Sequence, residues 1–213
     1  MSSQQFDKAT LFSSKFEALG GFVHGAQTLE EAVSTVNNII RRRGKGKVCC
    51  APLFIGDHAS NPDMQTAPGT DVSSKVASDL AFGDASEDPQ RLKDVDVGVT
   101  KADYAVAQTG CLVEISLNDA NHLLSSVVRL HIAVLEASNV LSNLRDLAPI
   151  LRRVFSAGGE PKPRVTLISG PSRTSDIEMK MVMGVHGPLE VHTVIVGLKN
   201  LIRNGVGRDS EEI

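Results

Sequence analysis

Apolar residues recur along this chain at two spacings, and the spacings alternate. From Thr28 to Arg43 the apolar positions are Leu29, Ala32, Val33, Val36, Ile39 and Ile40, which fall on one stripe of a helix. Thr28-Leu-Glu-Glu31 in front of them has the form of a capping box, and Gly44 stops the helix. Upstream, FDKATLFSSKFEALGG predicts another helix ending at Gly20 and Gly21, followed by a short strand in FVH. Downstream, KVCCAPLF predicts a strand. Helix, strand, helix, strand is the order that builds a mostly parallel α/β sheet flanked by helices.

The pattern loosens between Gly56 and Val95. GDHASNPDMQTAPGTD and GDASEDPQ predict loops, with a short helix in SSKVASDLAF between them, and long excursions of this kind point to surface segments near a site. Order returns at Val97. Gly98 to Gly110 predicts a strand end, a short helix and a glycine turn, while CLVEIS, HIAVLEA, RVTLIS and HTVIVGL predict strands. SNLRDLAPILRRVF predicts a helix with Leu144, Leu147, Ile150, Leu151 and Val154 on one side. Pro149 fits that helix if Asp146 caps it and Pro149 falls in its first turn. The tail from residue 203 to 213 is polar and predicted to fray, and no linker divides the chain.

Composition narrows the classes. With no Trp, one Tyr and seven Phe in 213 residues, the core must rest on Val, Leu, Ile and Ala. A net charge of −3 gives no general electrostatic reason to expect nucleic acid or an anionic membrane. The basic cluster at residues 41–47 sits at a helix end, where cations complement the dipole. Three cysteines form no disulfide framework, and Cys49 and Cys50 should point to opposite faces of one strand. With no apolar leader and no run of ~20 apolar residues for a membrane span, the expectation is a soluble cytoplasmic protein.

The densest chemistry lies in ISGPSRTSDIEMKMVMGVHGP, residues 168–188. Ser175-Asp-Ile-Glu178 fits a second capping box, with Gly184 as the stop, so a helix is expected there. Gly170, Ser172, Arg173 and Thr174 would then sit between a strand end and a helix start, where backbone N–H groups bind phosphate or carboxylate. Asp176 and Glu178 lie two apart, and two apart on a helix means nearly opposite directions, so they are no metal pair. Capping without a ligand and anion binding both remain open. Six histidines show no ligand spacing for zinc. His131 opens an apolar strand as a core hydrogen-bonding group, whereas His186 occupies a turn and could donate, accept or titrate. Asp103, beside the only tyrosine, is either an acid/base group or a carboxylate on the first turn of a short helix. Nucleophile-elbow, Walker and dinucleotide-binding glycine motifs are absent, as is a four-cysteine iron–sulfur run, so no metal or cofactor is assigned to this chain.

Taken together, Gly98-Val-Thr-x-Ala-Asp103-Tyr-Ala-x-Ala-x-Thr109-Gly110, His131-Ile, Ile168-Ser-Gly-Pro-Ser-Arg-Thr-Ser-Asp-Ile-Glu178 and Gly184-Val-His-Gly-Pro188 resemble the LUD-domain family, in its lactate utilization protein C (LutC/YkgG) group. The match runs from residue 98 to about 197, with residues 1–97 fitting the layout by pattern, so one LUD-type α/β domain is expected. The resemblance implies a fold similar to the glucosamine-6-phosphate isomerase, ribose-5-phosphate isomerase and CoA-transferase superfamily. It also implies a role as the small subunit of a system oxidising L-lactate to pyruvate, beside two partners, one carrying iron–sulfur clusters. Two positions depart from the family pattern: His122 stands where an Arg is usual, and Val128-Arg129 where a proline pair is usual. The leading expectation is an accessory subunit holding a small anionic or nucleotide-like ligand at Thr109, Gly110, Gly170, Ser172, Arg173 and Thr174. Asp103, Asp176 and His186 would flank that ligand. The alternatives are a stand-alone sugar-phosphate isomerase or CoA-transferase-like enzyme, using Asp103, Asp176, Glu178 or His186 as acid/base groups, and a non-catalytic binding or assembly module.

Overall fold

The computed structural model describes residues 2–44, 46–51, 54–55, 70–71, 76, 82–84, 92, 94–116, 119–156, 162–175, 181–183 and 187–198. In chain order the elements are α1 (Ser3–Ala18), β1 (Phe22–Ala26), α2 (Leu29–Arg43), β2 (Val48–Cys50), β3 (Phe54–Ile55), β4 (Thr70–Asp71), β5 (Phe82–Asp84), β6 (Val97–Ala102), β7 (Tyr104–Val106) and β8 (Cys111–Ser116). They continue with α3 (Asp119–Val127), β9 (Leu130–Glu136), β10 (Val140–Leu141), α4 (Leu144–Ser156), β11 (Arg164–Ile168), β12 (Arg173–Ser175), β13 (Met181–Met183) and β14 (Glu190–Val196).

Six strands form one sheet in the order β1-β14-β9-β6-β2-β5, and every neighbouring pair is parallel. Helix α2 covers one face of it. The helix is fixed at its start as expected: the Glu31 N–H donates to Thr28 Oγ1 at 3.2 Å, and Glu31 Oε2 accepts from the Gln27 N–H at 2.7 Å. Its Ala32, Val36, Ile39 and Ile40 pack on Val97, Val99, Leu130, Ile132, Val134 and Val194. Helix α1 packs Ala9, Phe12 and Phe16 on the other face, against Ala133, Leu135, Val191 and Ile195. Helix α3, an element the periodicity did not announce, lies on the same face as α1, its Leu124 resting where Gly98 leaves room: a Cβ there would lie 2.9 Å from Leu124 Cγ. Cys49 and Cys50 do point opposite ways, Cys49 into the α3 cluster and Cys50 into the α2 cluster.

A second sheet, β10-β7-β8-β11, was not foreseen. Its β7–β8 and β8–β11 pairs are antiparallel, and α4 packs Leu147, Ile150 and Leu151 onto it. Asp103 is the residue through which β6 of the first sheet passes into β7 of the second. The short helix expected between Gly98 and Gly110 is therefore two strands and a turn, because Tyr104–Val106 finds a ladder partner in β8.

The helix expected from Ser175 is likewise corrected. Arg173–Ser175 pairs antiparallel with Met181–Met183, placing Thr174 opposite Val182, and strand pairing overrides the local capping signal. Asp176, Glu178, Gly184 and His186 lie outside the described residues, as do residues 203–213 and most of the 56–95 segment. Of the helix expected over residues 73–82, only Val76 and Phe82 are described, and Phe82 with Gly83 and Asp84 makes strand β5. In α4 the cap is Asn143, whose Oδ1 accepts from the Arg145 N–H at 2.9 Å, while Asp146 Oδ2 reaches back to the Asn143 N–H at 3.1 Å. Pro149 consequently falls in the second turn, one turn later than expected.

Candidate functional site

The described residues around Gly170 and Pro188 meet at the amino-terminal edge of the parallel sheet. Gly20 and Gly21 precede β1, Pro188 and Leu189 precede β14, and Arg129 precedes β9. The Ser172 N–H donates to the Pro188 carbonyl at 2.8 Å, and the Leu189 N–H donates to the Arg129 carbonyl at 2.8 Å. Gly187 packs closely here: a Cβ there would lie 3.0 Å from Ser172 Cβ, a tight contact, and 3.5 Å from the Ser126 carbonyl of α3. Arg173 donates from Nη2 to the Leu19 carbonyl at 2.6 Å, which places a cation at the negative end of α1.

Two glycines of the expected ligand set press against α1. Gly170 has φ +101°, and a Cβ there would stand 2.8 Å from the Leu19 carbonyl oxygen. Gly110 has φ +68°, and its Cβ would stand 2.6 Å from Lys15 Cβ and 2.9 Å from the Phe16 nitrogen. Thr109 is exposed, and its hydroxyl lies 2.8 Å from Cys111 Sγ. The fold thus lines Thr109, Gly110, Gly170, Ser172 and Arg173 along the last turns of α1, with Thr174 continuing into β12. The carboxyl edge of the parallel sheet, where open α/β sheets bind ligands, is not where they lie, because β11 before them belongs to the other sheet.

Asp103 is at that opposite edge, following the last residue of β6. Its carboxyl is enclosed, and its Oδ2 accepts from the Ile115 N–H at 2.6 Å. Burial raises its pKa from 3.8 to about 7, against the lowering pull of the Ile115 hydrogen bond and of Lys101, and with Glu114 adding to the rise. Such a carboxyl exchanges a proton near neutrality, which suits an acid/base group.

Between the two edges runs a buried polar row that the sequence reading did not assemble. On β6, Thr100 Oγ1 lies 2.7 Å from His131 Nε2 of β9 and hydrogen-bonds Glu114 Oε1 of β8. His131 Nε2 is itself 3.3 Å from Glu114 Oε1. With Glu114 ionised, Thr100 donates its only proton to the carboxylate and accepts from Nε2–H, so the neutral ring carries a bare Nδ1. Thr166 of β11 stands opposite Glu114, and its Oγ1 meets His122 Nδ1 at 2.7 Å, so His122 carries the polar row on toward the surface. Of these groups His131 was singled out in the sequence as a core hydrogen-bonding residue, a reading that holds, and His122 as a departure from the family pattern. The signal for the rest was single polar residues within apolar strands.

On the α2 face a further set of side chains lines the amino-terminal edge. His24 Nε2 lies 3.0 Å from His192 Nδ1, and Phe22 stacks on His192 at 4.6 Å. His192 Nε2 is 3.6 Å from Glu190, which also pairs with Arg43 at 3.2 Å. The His192 contact holds the Glu190 carboxyl below its ordinary range. Among the described residues no group of three or more His, Cys, Asp or Glu side chains could hold a metal ion, and no helix is long and apolar enough to cross a membrane.

Comparison with known proteins places this geometry. A model of the LUD domain matches residues 9–196. Lactate utilization protein C of Shouchella clausii is 32% identical over 113 residues, covering 53% of this chain and 49% of that protein. Its counterpart in Halalkalibacterium halodurans is 33% identical over 108 residues, covering 50% of this chain and 46% of that protein. The match to the Bacillus pumilus protein of the same name is longer, 27% over 176 residues, covering 79% of this chain and 70% of that protein. For the first two the chain spans about half of the relative's length. A crystal structure of a DUF162 family protein from Deinococcus radiodurans superposes with a TM-score of 0.59 at 15% identity, covering 92% of this chain and 99% of that one, which is a likeness of fold.

Proposed function

The chain belongs to the LUD-domain family, and from that premise we propose that it serves lactate utilization as an accessory subunit of a cytoplasmic complex oxidising L-lactate to pyruvate. The observation that carries this reading is the run of relatives named Lactate utilization protein C that align with it in several bacteria. Electron transfer in such a complex falls to iron–sulfur partner subunits. The donor set of this chain supports that division, because Cys49 and Cys50 face opposite sides of the sheet and Cys111 stands on β8 of the other sheet.

A small anionic or nucleotide-like ligand would be held where Gly170, Ser172, Arg173 and Thr174 come together with Thr109 and Gly110. Arg173 is an exposed cation there, and an incoming anion would draw it from the Leu19 carbonyl. Deletion of the gene in the source organism is expected to abolish growth on L-lactate while leaving growth on glucose intact. A tagged chain is expected to co-purify with a protein carrying ferredoxin-type cysteine spacing. Normal growth on lactate together with no such partner would overturn the proposal. The enclosed carboxyl of Asp103, raised to about 7, favours a second reading in which the chain is itself an acid/base enzyme on a sugar phosphate or CoA-type ester. Turnover of either substrate by the isolated chain would select that reading.

A further inference from the structure

Buried polar side chains in this fold are generally satisfied. Ser13 Oγ donates to the Ala9 carbonyl at 2.7 Å, Ser125 Oγ to the His122 carbonyl at 3.3 Å, and Thr100 and Glu114 satisfy each other. Three buried side-chain atoms have no hydrogen-bond partner among the described residues: His131 Nδ1, Thr193 Oγ1 and His192 Nε2. His192 Nε2 has the Glu190 carboxylate 3.6 Å away. For His131 Nδ1 and Thr193 Oγ1 no such neighbour stands among the described residues, and both residues are 0% exposed. Leaving such an atom unpaired is costly, so each one calls for a partner.

These two atoms belong to residues on one face of the sheet. Registered residues on neighbouring strands share a face of the sheet. His131 is in register with Gly98 and Val191, and Ala133, two residues on, is flanked by Thr100 of β6 and Thr193 of β14. Thr193 and Thr100 thus stand on the same face as His131, one on either side of the small Ala133. The Nε2 edge of the imidazole is turned to Thr100 on the β6 side. Nδ1 lies across the ring from Nε2, and Thr193 stands one strand away from His131 on the β14 side. Helices α1 and α3 close this face, with Phe16, Val191 and Leu124 as apolar surroundings.

We infer that His131 Nδ1 and Thr193 Oγ1 together form a binding site for one hydroxyl oxygen, closed in between the six-stranded sheet and helices α1 and α3. The chemistry follows from the row behind it. With Glu114 ionised and the ring neutral, Thr100 holds the proton on Nε2, so Nδ1 accepts, and the guest must carry a hydrogen to donate. Thr193 Oγ1–H then donates back to the guest oxygen. A carboxylate or phosphate oxygen fails the first requirement, and a hydroxyl meets both. Two sources supply such an oxygen: a permanently enclosed water, or the alcohol of a 2-hydroxy acid. The second source rests on the proposed lactate reading; the site itself does not.

Thr193→Val decides the matter by its sign, because it keeps the shape and removes only the hydroxyl. If Thr193 Oγ1 is simply unpaired, its removal is stabilising and Tm rises. If it holds the guest oxygen, Tm falls by roughly 2–4 °C. The second measurement is the ¹⁵N imidazole spectrum of the full-length protein, in which His131 is expected as the Nε2–H tautomer with a hydrogen-bonded Nδ1 that shifts in Thr193→Val. Adding L-lactate, with pyruvate as the control lacking a hydroxyl, separates the sources: a Nδ1 response to lactate alone assigns the oxygen to the ligand, and no response to either assigns it to water. A rise in Tm together with an unchanged Nδ1 signal in the variant overturns the site, whatever the outcome of growth on lactate.

Discussion

Asp103→Asn should change how stability depends on pH, and the size of the change can be worked from the site. The carboxyl is enclosed at the junction of the two sheets and titrates at about 7 in place of 3.8, mainly because burial disfavours its charge. Between those values the folded chain keeps a proton that the unfolded chain has lost. Folding is then linked to proton uptake, so this group's stabilisation is complete below about pH 4, shrinks as pH rises, and is gone above about pH 7. At about 1.4 kcal/mol per decade, the span from 3.8 to about 7 amounts to roughly 4 kcal/mol, an upper figure that water reaching the carboxyl would reduce to ~2. Asparagine keeps an oxygen to accept the Ile115 N–H and does not titrate. Urea unfolding of both proteins from pH 4.5 to 8.5, followed by circular dichroism, cancels the titration of every other group when the two curves are subtracted. The variant should gain on the parent by ~1.5–3 kcal/mol across that range, most of it between pH 5 and 7.5. A difference between the two proteins that stays flat with pH would refute the buried-carboxyl reasoning.

Two further substitutions test the packing of the motif blocks and the amino-terminal edge. Gly110→Ala combines a left-handed backbone with a Cβ driven to 2.6 Å from Lys15, so it should cost ~2–5 kcal/mol and lower Tm by roughly 5–15 °C in a thermal melt; a change under about 1 °C would show that α1 does not rest there. Glu190→Gln removes a carboxylate held low by His192, a contribution present above the ordinary carboxylate range and lost as pH falls through it. Because Glu190 is well exposed, the deficit at pH 7 should be only a few tenths of a kcal/mol, smaller in high salt and absent near pH 3 by urea titration.

How much of this fold can be read from residues depends on the range of the signal. Helix α2 was legible end to end, because Thr28, Glu31, the apolar stripe and Gly44 all act within a few residues of one another. Alternating helices and strands likewise announced a parallel sheet. The order β1-β14-β9-β6-β2-β5 was not announced, since it joins strands from opposite ends of the chain. The same limit explains the error at Ser175. Ser-Asp-Ile-Glu is as good a local cap there as Thr-Leu-Glu-Glu is at Thr28. What differs is that Thr174 finds Val182 across a ladder, and a ladder partner is not a property of the cap.

The site divides along the same line. The blocks around Thr109, Gly170 and Gly187 were visible as glycine-rich motifs and do come to one region, whereas Thr100, Glu114 and Thr193 are lone polar residues on three strands, brought to one face only by strand register and by the packing of β8 across from the second sheet. The glycines themselves carry an ambiguity with a physical origin. A phosphate cradle and a close helix contact both require backbone without a Cβ, so either produces Gly110 and Gly170 in the sequence. What lies opposite them separates the two cases. Lys15, Phe16 and the Leu19 carbonyl fill the space that a Cβ would take, which accounts for both glycines by packing. The Leu19 carbonyl is moreover the negative end of α1, and it repels an anion by an amount of ~0.3–1 kcal/mol. An anion at this edge must therefore sit on the Ser172 and Arg173 side of the loop and take Arg173 from Leu19, so binding there would uncap α1 as it forms.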